Sequence, residues 1–369
     1  MVSNTFFDTT LYIDLKAVQK NYLILKEKSF PATCAATVKA NAYGLGISEI
    51  SNALYKIGCR DFFVATLGEA IFLRRLQPDA TIYVFHGIKY NETEAFLGQN
   101  LIPVLNDIEQ TKLWNNFAKD KKLTLPAILH FDTGINRLGI NISDATVIKK
   151  NNHIIENLDI KYIMTHLACS NEIDNIRNAQ QLAEFNKLKK TLSNFKNLKA
   201  TIANSSAIFL SNDYLFDLVR PGAALFGINP TPYLPKNPMN SVIRLTSKII
   251  QIKHVQKDGM VGYGNICPVK KGTVLATVAI GYADGYLRSL TNRSYCYLKG
   301  KFVPTLGKVS MDMVMIDISN FKKSEIKVGD EVEIIGNHIN LSILSTQAGT
   351  IPYEILTSFS QRFKKIYIS

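Results

Sequence analysis

The chain has 369 residues, 46% of them hydrophobic and 20% charged, which is typical of a water-soluble globular protein with more than one domain. The formal net charge is +13, but no zinc-finger spacing, RNP-type aromatic motif or basic arm accompanies the lysines, so we expect no nucleic-acid partner. No apolar run reaches the ~18 residues of a membrane span, no signal-peptide pattern is present, and the five cysteines lack a CxxC motif, so we expect a cytoplasmic protein with free thiols and no metal site.

Short apolar runs rich in β-branched residues recur through the first two thirds of the chain and predict strands. The eight predicted strands are residues 34–39, 62–66, 81–86, 101–105, 127–132, 161–166, 200–204 and 216–220. Amphipathic stretches lie between most of them, for example residues 47–57, where apolar side chains recur at helical spacing. This alternation predicts a parallel sheet closed into a TIM-like (β/α)₈ barrel, with a doubly wound open sheet as the alternative.

The pattern changes after a segment rich in proline and asparagine, residues 231–240. The strand-like runs that follow have shorter connections, which predicts a mainly antiparallel β domain. An amphipathic stretch at residues 354–367 predicts a closing helix. The predicted domains are therefore a barrel over residues 1–235 and a β domain over residues 236–369.

Chemically useful side chains follow several of the predicted barrel strands. They are Lys39, Tyr43, Arg137, His166, Ser205 and Arg220. In such barrels the carboxyl ends of the strands share one rim, where active sites form. A partly desolvated lysine at this rim, such as Lys39, loses its proton more easily and can act as a nucleophile.

The loops after the seventh and eighth strands predict a phosphate site. Ser205 follows the seventh strand, and Gly222 and Ala223 follow the eighth. Small residues let backbone N–H groups approach a dianion, and a hydroxyl adds another donor. A lysine amine and a phosphate cradle on one rim predict pyridoxal 5′-phosphate (PLP) as cofactor. Arg220 is the candidate partner of its pyridine nitrogen, and His166 is a candidate either to pack on its ring or to form a hydrogen bond with Arg220.

Nine motifs, taken in order along the chain, resemble those of the alanine racemases, which are fold-type III PLP enzymes. They read AATVKANAYGLG, DTGINRLG, MTHLA, ANSSA, RPGAALFG, VGYGN, IGYADGYLR, GKVSMDMVMID and PYEIL. The resemblance implies interconversion of L-alanine and D-alanine, with D-alanine supplied to peptidoglycan. A broad-specificity amino-acid racemase of the same fold is the alternative. Two further alternatives are less favoured. A decarboxylase of the same fold type would have a longer chain, and a non-catalytic PLP-binding protein would lack the second domain.

The resemblance also implies roles for individual residues. Lys39 would hold PLP and act on the D face of the substrate α-carbon, and Tyr263 from the second subunit of a homodimer would act on the L face. The residues that would hold the phosphate are Tyr43, Ser205, Gly222, Ala223 and Tyr353. Arg137 and the backbone N–H of Met311, again across the interface, would bind the substrate carboxylate. Many members have a carbamylated lysine where this chain has His130, which supplies no fixed anion, so a bound anion such as chloride or another carboxylate would have to orient Arg137.

Overall fold

The computed structural model describes residues 7–193, 195 and 198–369, and the chain forms two compact units. The barrel unit contains residues 17–240, and the β unit combines the amino-terminal segment up to Lys16 with residues 241–369. The segment up to Lys16 contributes β1 (Thr9–Asp14), which pairs with two strands from the carboxyl-terminal part. The amino-terminal strand thus belongs to the β unit, whereas the sequence predicted it as part of a barrel domain over residues 1–235.

The barrel unit contains parallel strands at each of the eight predicted positions. They are β2 (Thr33–Cys34), β3 (Ala36–Thr37), β4 (Asp61–Val64), β5 (Thr81–Val84), β6 (Ile102–Leu105), β7 (Leu125–Asp132), β8 (Ile140–Asn141), β9 (Leu158–Met164), β10 (Lys199–Thr201) and β11 (Leu218–Val219). β2 and β3 together form the first predicted strand, and β8 is a short addition that pairs with β7.

The parallel strands close on themselves. One sheet runs β3-β4-β5-β6-β7-β9-β10, and β11 pairs with β2. Backbone bonds join the remaining neighbours, from Asp217 N–H to Ala200 O at 3.1 Å and from Arg220 N–H to Ala203 O at 2.9 Å. The predicted (β/α)₈ barrel is therefore confirmed, and the open-sheet alternative is wrong.

Helices alternate with these strands. They are α1 (Leu15–Lys28), α2 (Lys39–Tyr43), α3 (Ile47–Lys56), α4 (Leu67–Leu76), α5 (Thr93–Gly98), α6 (Ile108–Lys121), α7 (Asp144–Lys150) and α8 (Ile176–Thr191). The apolar stripe of α3 is buried, as its spacing predicts. Within the part of the chain that the structure describes, every helix is too short or too polar to cross a membrane.

The interior of the barrel is packed with side chains. Phe63 and Tyr83 stack at 4.5 Å between ring centroids, in a cluster that also contains Val104, Ile128 and Met164. These strands carry continuous apolar runs because their inner face meets this core and their outer face meets the helices. The packed interior leaves the rim as the place where polar chemistry collects.

The β unit contains the remaining strands and two short helices. They are β12 (Ile243–His254), β13 (Gly259–Met260), β14 (Pro268–Val269), β15 (Val274–Val278), β16 (Tyr295–Leu298), β17 (Lys301–Leu306), β18 (Val314–Asp317), β19 (Glu331–Ile335), α9 (Leu341–Ala348), α10 (Pro352–Thr357) and β20 (Lys364–Ile368). The main sheet runs β15-β18-β17-β16-β19-β12-β1-β20, and an additional β12–β15 pairing closes part of it into a ring. All these pairings are antiparallel except that of β1 with β20, so the predicted mainly antiparallel domain is confirmed.

The predicted closing helix at residues 354–367 is wrong in its second half. The helix ends at Thr357, and Lys364–Ile368 form β20 beside β1. Pairing with the open edge of β1 outweighs the weak helical pattern of this segment, because tertiary contacts override local propensity.

Candidate active site

The short element α2, in the loop that follows β3, is a left-handed turn rather than a regular right-handed helix. Ala40, Asn41, Ala42 and Tyr43 have φ between 52° and 56°, which is the left-handed region. This conformation costs roughly 1–2 kcal/mol for each residue with a side chain. Such a turn persists only where surrounding contacts hold it.

One of those contacts comes from Glu69, in the first turn of α4. One carboxylate oxygen, Oε1, accepts from Ala40 N–H at 2.6 Å. The other, Oε2, accepts from the N–H groups of Ala65 and Thr66 at 2.8 and 3.3 Å. Glu69 thus connects the end of β4 to the residue next to Lys39. The sequence contains the signal for this residue, because Thr66 and Glu69 form a capping box.

The amine of Lys39 is half-buried and faces the ring of Phe85 at 5.7 Å from its centroid. Burial lowers the pKa of Lys39, the positive charge of Arg137 lowers it further, and Glu69 opposes both. A lowered pKa increases the fraction of neutral amine, which is the nucleophilic form. Lys39 therefore has the electrostatic environment that its predicted role requires.

The loops after β10 and β11 meet the loop after β3. Ser205 Oγ accepts from the N–H groups of Gly222 at 3.0 Å and Ala224 at 3.1 Å. A Cβ atom at Gly222 would lie 2.4 Å from the Tyr43 hydroxyl oxygen. The predicted phosphate residues Tyr43, Ser205, Gly222 and its neighbour Ala223 are therefore brought together. Only a residue without a side chain fits at Gly222.

Arg220 is almost fully buried at the end of β11, with 4% of its surface exposed. Its guanidinium donates to Thr201 Oγ1, to Thr165 O at 2.8 Å and to Ile202 O at 3.4 Å. Burial lowers the pKa of Arg220 to about 9. The guanidinium is fixed by neutral acceptors, so its positive charge stays available to a ligand.

His166 follows β9 on the same rim. Burial lowers its pKa well below the usual range, and the charges of Arg220 and Arg137 lower it further. Arg137 lies exposed in the loop after β7. Asp132, which could have paired with it, accepts instead from the backbone N–H groups of Gly134 and Ile135 at 2.7 and 2.9 Å. The structure gathers these basic groups at one rim, where they form an environment suited to anions.

The other three predicted site residues belong to the β unit. Tyr263 is 71% exposed and opens a 3₁₀ turn flanked by glycines, while Met311 is 53% exposed. The carbonyl of Met311 accepts from Ala283 N–H at 3.0 Å, which fixes the backbone at this point. Tyr353 lies in α10, and burial raises its pKa.

An ion-pair cluster in the β unit was missed by the sequence reasoning. Arg362 contacts Asp284 at 3.2 Å and Asp312 at 2.7 Å, so it joins the loop before Tyr286 to the loop of Met311. No pattern along the chain connects residues so far apart in sequence. Only the fold shows that Arg362 stabilises the backbone next to Met311.

Comparison with known proteins relates both units to one family. The profile described as alanine racemase, N-terminal domain, matches residues 13–230, and that described as alanine racemase, C-terminal domain, matches residues 242–367. The chain is 42% identical over 359 residues to the alanine racemase of Rickettsia canadensis, covering 97% of this chain and 98% of that relative. It is 39% identical to the alanine racemase of Brucella canis, covering 97% and 93%.

Solved structures show the same relationship in three dimensions. An alanine racemase from Bartonella henselae, described with covalently bound pyridoxal phosphate, is 36% identical with a TM-score of 0.90, covering 98% of this chain and 99% of that one. The biosynthetic alanine racemase from Pseudomonas aeruginosa is 28% identical with a TM-score of 0.89, covering 99% and 100%. The similarity therefore extends over both units.

Proposed function

Because this chain belongs to the alanine racemase family, we propose that it interconverts L-alanine and D-alanine with pyridoxal 5′-phosphate as cofactor. The observation that carries this proposal is the meeting of three rim loops around Gly222, one of them beginning at Lys39. Together these loops offer an amine with a lowered pKa and a cradle of hydroxyl and N–H groups. PLP requires both.

The residues present fit this cofactor. The absence of a side chain at Gly222 leaves space next to the Tyr43 hydroxyl, the Ser205 hydroxyl and the backbone of Gly222 and Ala223, where Ser205 Oγ accepts from Gly222 N–H at 3.0 Å. We assign these groups, together with Tyr353, to the phosphate, Lys39 to the aldehyde carbon, Arg220 to the pyridine nitrogen and His166 to the ring. When bound, the cofactor supplies the electron-withdrawing conjugation that makes the α-hydrogen of alanine acidic.

Racemisation requires a proton to leave one face of the α-carbon and another to arrive on the opposite face. We assign the D face to Lys39 and the L face to Tyr263, so that no intermediate has to turn over. The lowered pKa of Lys39 supports its part, since a base must be neutral at working pH to accept a proton.

We propose a homodimer in which Tyr263 and Met311 of the β unit complete the partner subunit's site. Support comes from their exposure, 71% and 53%, which is high for residues with large apolar surfaces. Arg137 would bind the substrate carboxylate together with the Met311 N–H, as guanidinium groups do with carboxylates. All five cysteines are free, which supports a reducing cytoplasm, where D-alanine for peptidoglycan would be made.

The test is exchange of the α-hydrogen of L-alanine and of D-alanine in D₂O, by the wild type and by Tyr263→Phe. We expect Tyr263→Phe to lose racemisation by about 10²–10⁴-fold, the contribution typical of a positioned acid or base. Exchange from L-alanine should fall far more than exchange from D-alanine. L-serine run in parallel measures the breadth of specificity.

Tyr55→Phe is the matched control, because Tyr55 lies near the end of α3, in the connection that precedes β4, where its ring faces the Arg60 guanidinium at 3.8 Å. It should keep wild-type rates with both enantiomers. Equal losses of the two exchange reactions in Tyr263→Phe would contradict the assignment of faces. Failure of the wild type to exchange either enantiomer would contradict the function.

A further inference from the structure

His130 carries a buried ring nitrogen without a partner. It lies near the carboxyl end of β7 with 5% of its surface exposed. Its Nδ1 is 2.7 Å from Asn106 Oδ1. Its Nε2 has no hydrogen-bond partner in the part of the chain that the structure describes. Buried polar atoms are nearly always paired, so an unpaired one at a functional rim indicates a missing donor or ligand.

The neighbouring amide determines which nitrogen carries the hydrogen. Asn106 Nδ2 donates to two carbonyl oxygens, those of Phe85 and Val104, both at 2.9 Å. The amide is therefore oriented with Oδ1 toward His130, and an amide oxygen can only accept. Nδ1 of His130 must then be the donor, which leaves Nε2 with a free lone pair.

The ring also stays neutral. Burial lowers the pKa of His130 to about 3, with further lowering by the charges of Arg220 and Arg137 that outweighs the opposite influence of Asp132. A neutral ring with a hydrogen on Nδ1 makes Nε2 a hydrogen-bond acceptor rather than a donor. The partner that His130 Nε2 lacks is therefore a donor, an N–H or an O–H group.

Of the two guanidinium groups near His130, one is held in place by other acceptors. Arg220 is buried and donates to Thr201 Oγ1, Thr165 O and Ile202 O, and these bonds fix its guanidinium without a bond to His130. Arg137, in the loop that directly follows the strand of His130, has no hydrogen-bond or ion-pair partner for its side chain among residues 7–193, 195 and 198–369. Arg137 is therefore the donor that is still available.

We propose that, when the substrate carboxylate binds, the guanidinium of Arg137 donates a hydrogen bond to His130 Nε2, and that this bond orients Arg137 toward the carboxylate. His130 is then a positioning residue, and Asn106 sets its tautomer. The inference rests on the proposed function, which assigns the carboxylate to Arg137.

A neutral acceptor has a specific advantage at this position. It restrains a long flexible side chain, whose rotamer freedom is otherwise lost on binding. A carboxylate would do the same but would also compete with the substrate for the positive charge. Imidazole leaves the full charge of Arg137 for the ligand.

The experiment measures acetate binding to the PLP-loaded protein by calorimetry, together with kcat and KM for L-alanine, in three variants. His130→Ala removes the acceptor and should weaken acetate binding and raise KM by about tenfold or more, with a smaller change in kcat. His130→Gln restores a neutral acceptor and should recover most of the loss. Asn106→Leu frees the tautomer and should give an intermediate loss.

His153→Ala is the matched control, because His153 pairs with Glu156 at an exposed place and should leave both quantities unchanged. Unchanged acetate affinity in His130→Ala would overturn the proposal. So would a wild-type affinity or KM that depends on chloride, since a bound anion would then hold Arg137. Acetate binding is read without turnover, so it tests His130 even if the protein fails to racemise alanine.

Discussion

Replacing Gly222 with alanine tests the phosphate cradle directly. Gly222 has a φ of −127°, outside the left-handed region, and the space around it is what limits the residue type at this position. The added Cβ would lie 2.4 Å from the Tyr43 hydroxyl oxygen, 3.1 Å from Tyr43 Cζ and 3.3 Å from Thr37 Cβ. The methyl group therefore fills the space through which a phosphate would meet the backbone N–H groups.

The size of the effect follows from these distances. The Tyr43 hydroxyl would have to retreat by about 1 Å, but its ring packs against Phe226 with centroids 4.9 Å apart. Overpacking of this kind typically costs about 1–3 kcal/mol. Displacing Tyr43 also removes one donor from the cradle. We therefore expect Gly222→Ala to weaken PLP binding by about tenfold or more and to lower the free energy of unfolding of the apo-protein.

The assay is titration of apo-protein with PLP, followed by absorbance, together with urea unfolding of each apo-variant. Gly98→Ala is the matched control, since a Cβ at Gly98, in α5, would meet no atom within 4 Å. Gly98→Ala should keep the wild-type affinity for PLP, and its free energy of unfolding should be unchanged or higher by about 0.4–1 kcal/mol. Tyr43→Phe combined with Gly222→Ala removes the closest clash and should recover part of the stability but not the affinity. Wild-type PLP affinity in Gly222→Ala would refute the cradle.

Two further predictions concern charge at the rim. In Glu69→Gln we expect a lower pKa for Lys39, because Glu69 is the group that raises it, so the pH midpoint for PLP binding to apo-protein should move down. Glu92→Gln is the control, because Glu92 also accepts from a backbone N–H at a helix start but does not shift the pKa of Lys39. An unmoved midpoint in Glu69→Gln would exclude this role. His130 has a folded pKa of about 3 against an ordinary 6.5, so its contribution to stability is present above pH 6.5 and is lost as the pH falls toward 3. In His130→Gln, the free energy of unfolding measured in urea should therefore fall less steeply over this pH window than in the wild type. The remaining pH dependence would come from His166, whose pKa is also lowered. An identical pH dependence in the two proteins would contradict the lowered pKa of His130.

The barrel could be predicted because its strands are local features of the sequence. Each buried strand is a short apolar run bounded by turn residues, so the run alone is enough to identify the strand. The two departures depend on pairing between distant segments. β1 joins the β unit, and Lys364–Ile368 form β20 rather than a helix, because the two strands complete each other's hydrogen bonds. Nothing within either segment specifies that partner.

The sequence predicts which site residues lie at the ends of strands. The positions of Lys39, Ser205 and Arg220 follow from the predicted strands, but the contacts around their side chains cannot be predicted in this way. Glu69 reaches Ala40 only because α4 packs beside the left-handed turn, and the tautomer of His130 depends on an amide from another loop. Hydrogen-bond direction is a tertiary property, so the sequence could raise the question of what orients Arg137 but could not answer it.

The charges at the barrel rim explain why one arrangement can serve both cofactor binding and proton transfer. Burial is the largest cause that lowers the pKa of Lys39, of His166 and of Arg220, and Arg137 adds to the effect on the first two. A region that disfavours its own cations is stabilised by any anion that enters it, and a phosphate and a carboxylate are two such anions. The same burial and charges lower the pKa of Lys39 and so increase the neutral fraction of its amine, so the groups that favour a bound anion also favour the base that we propose.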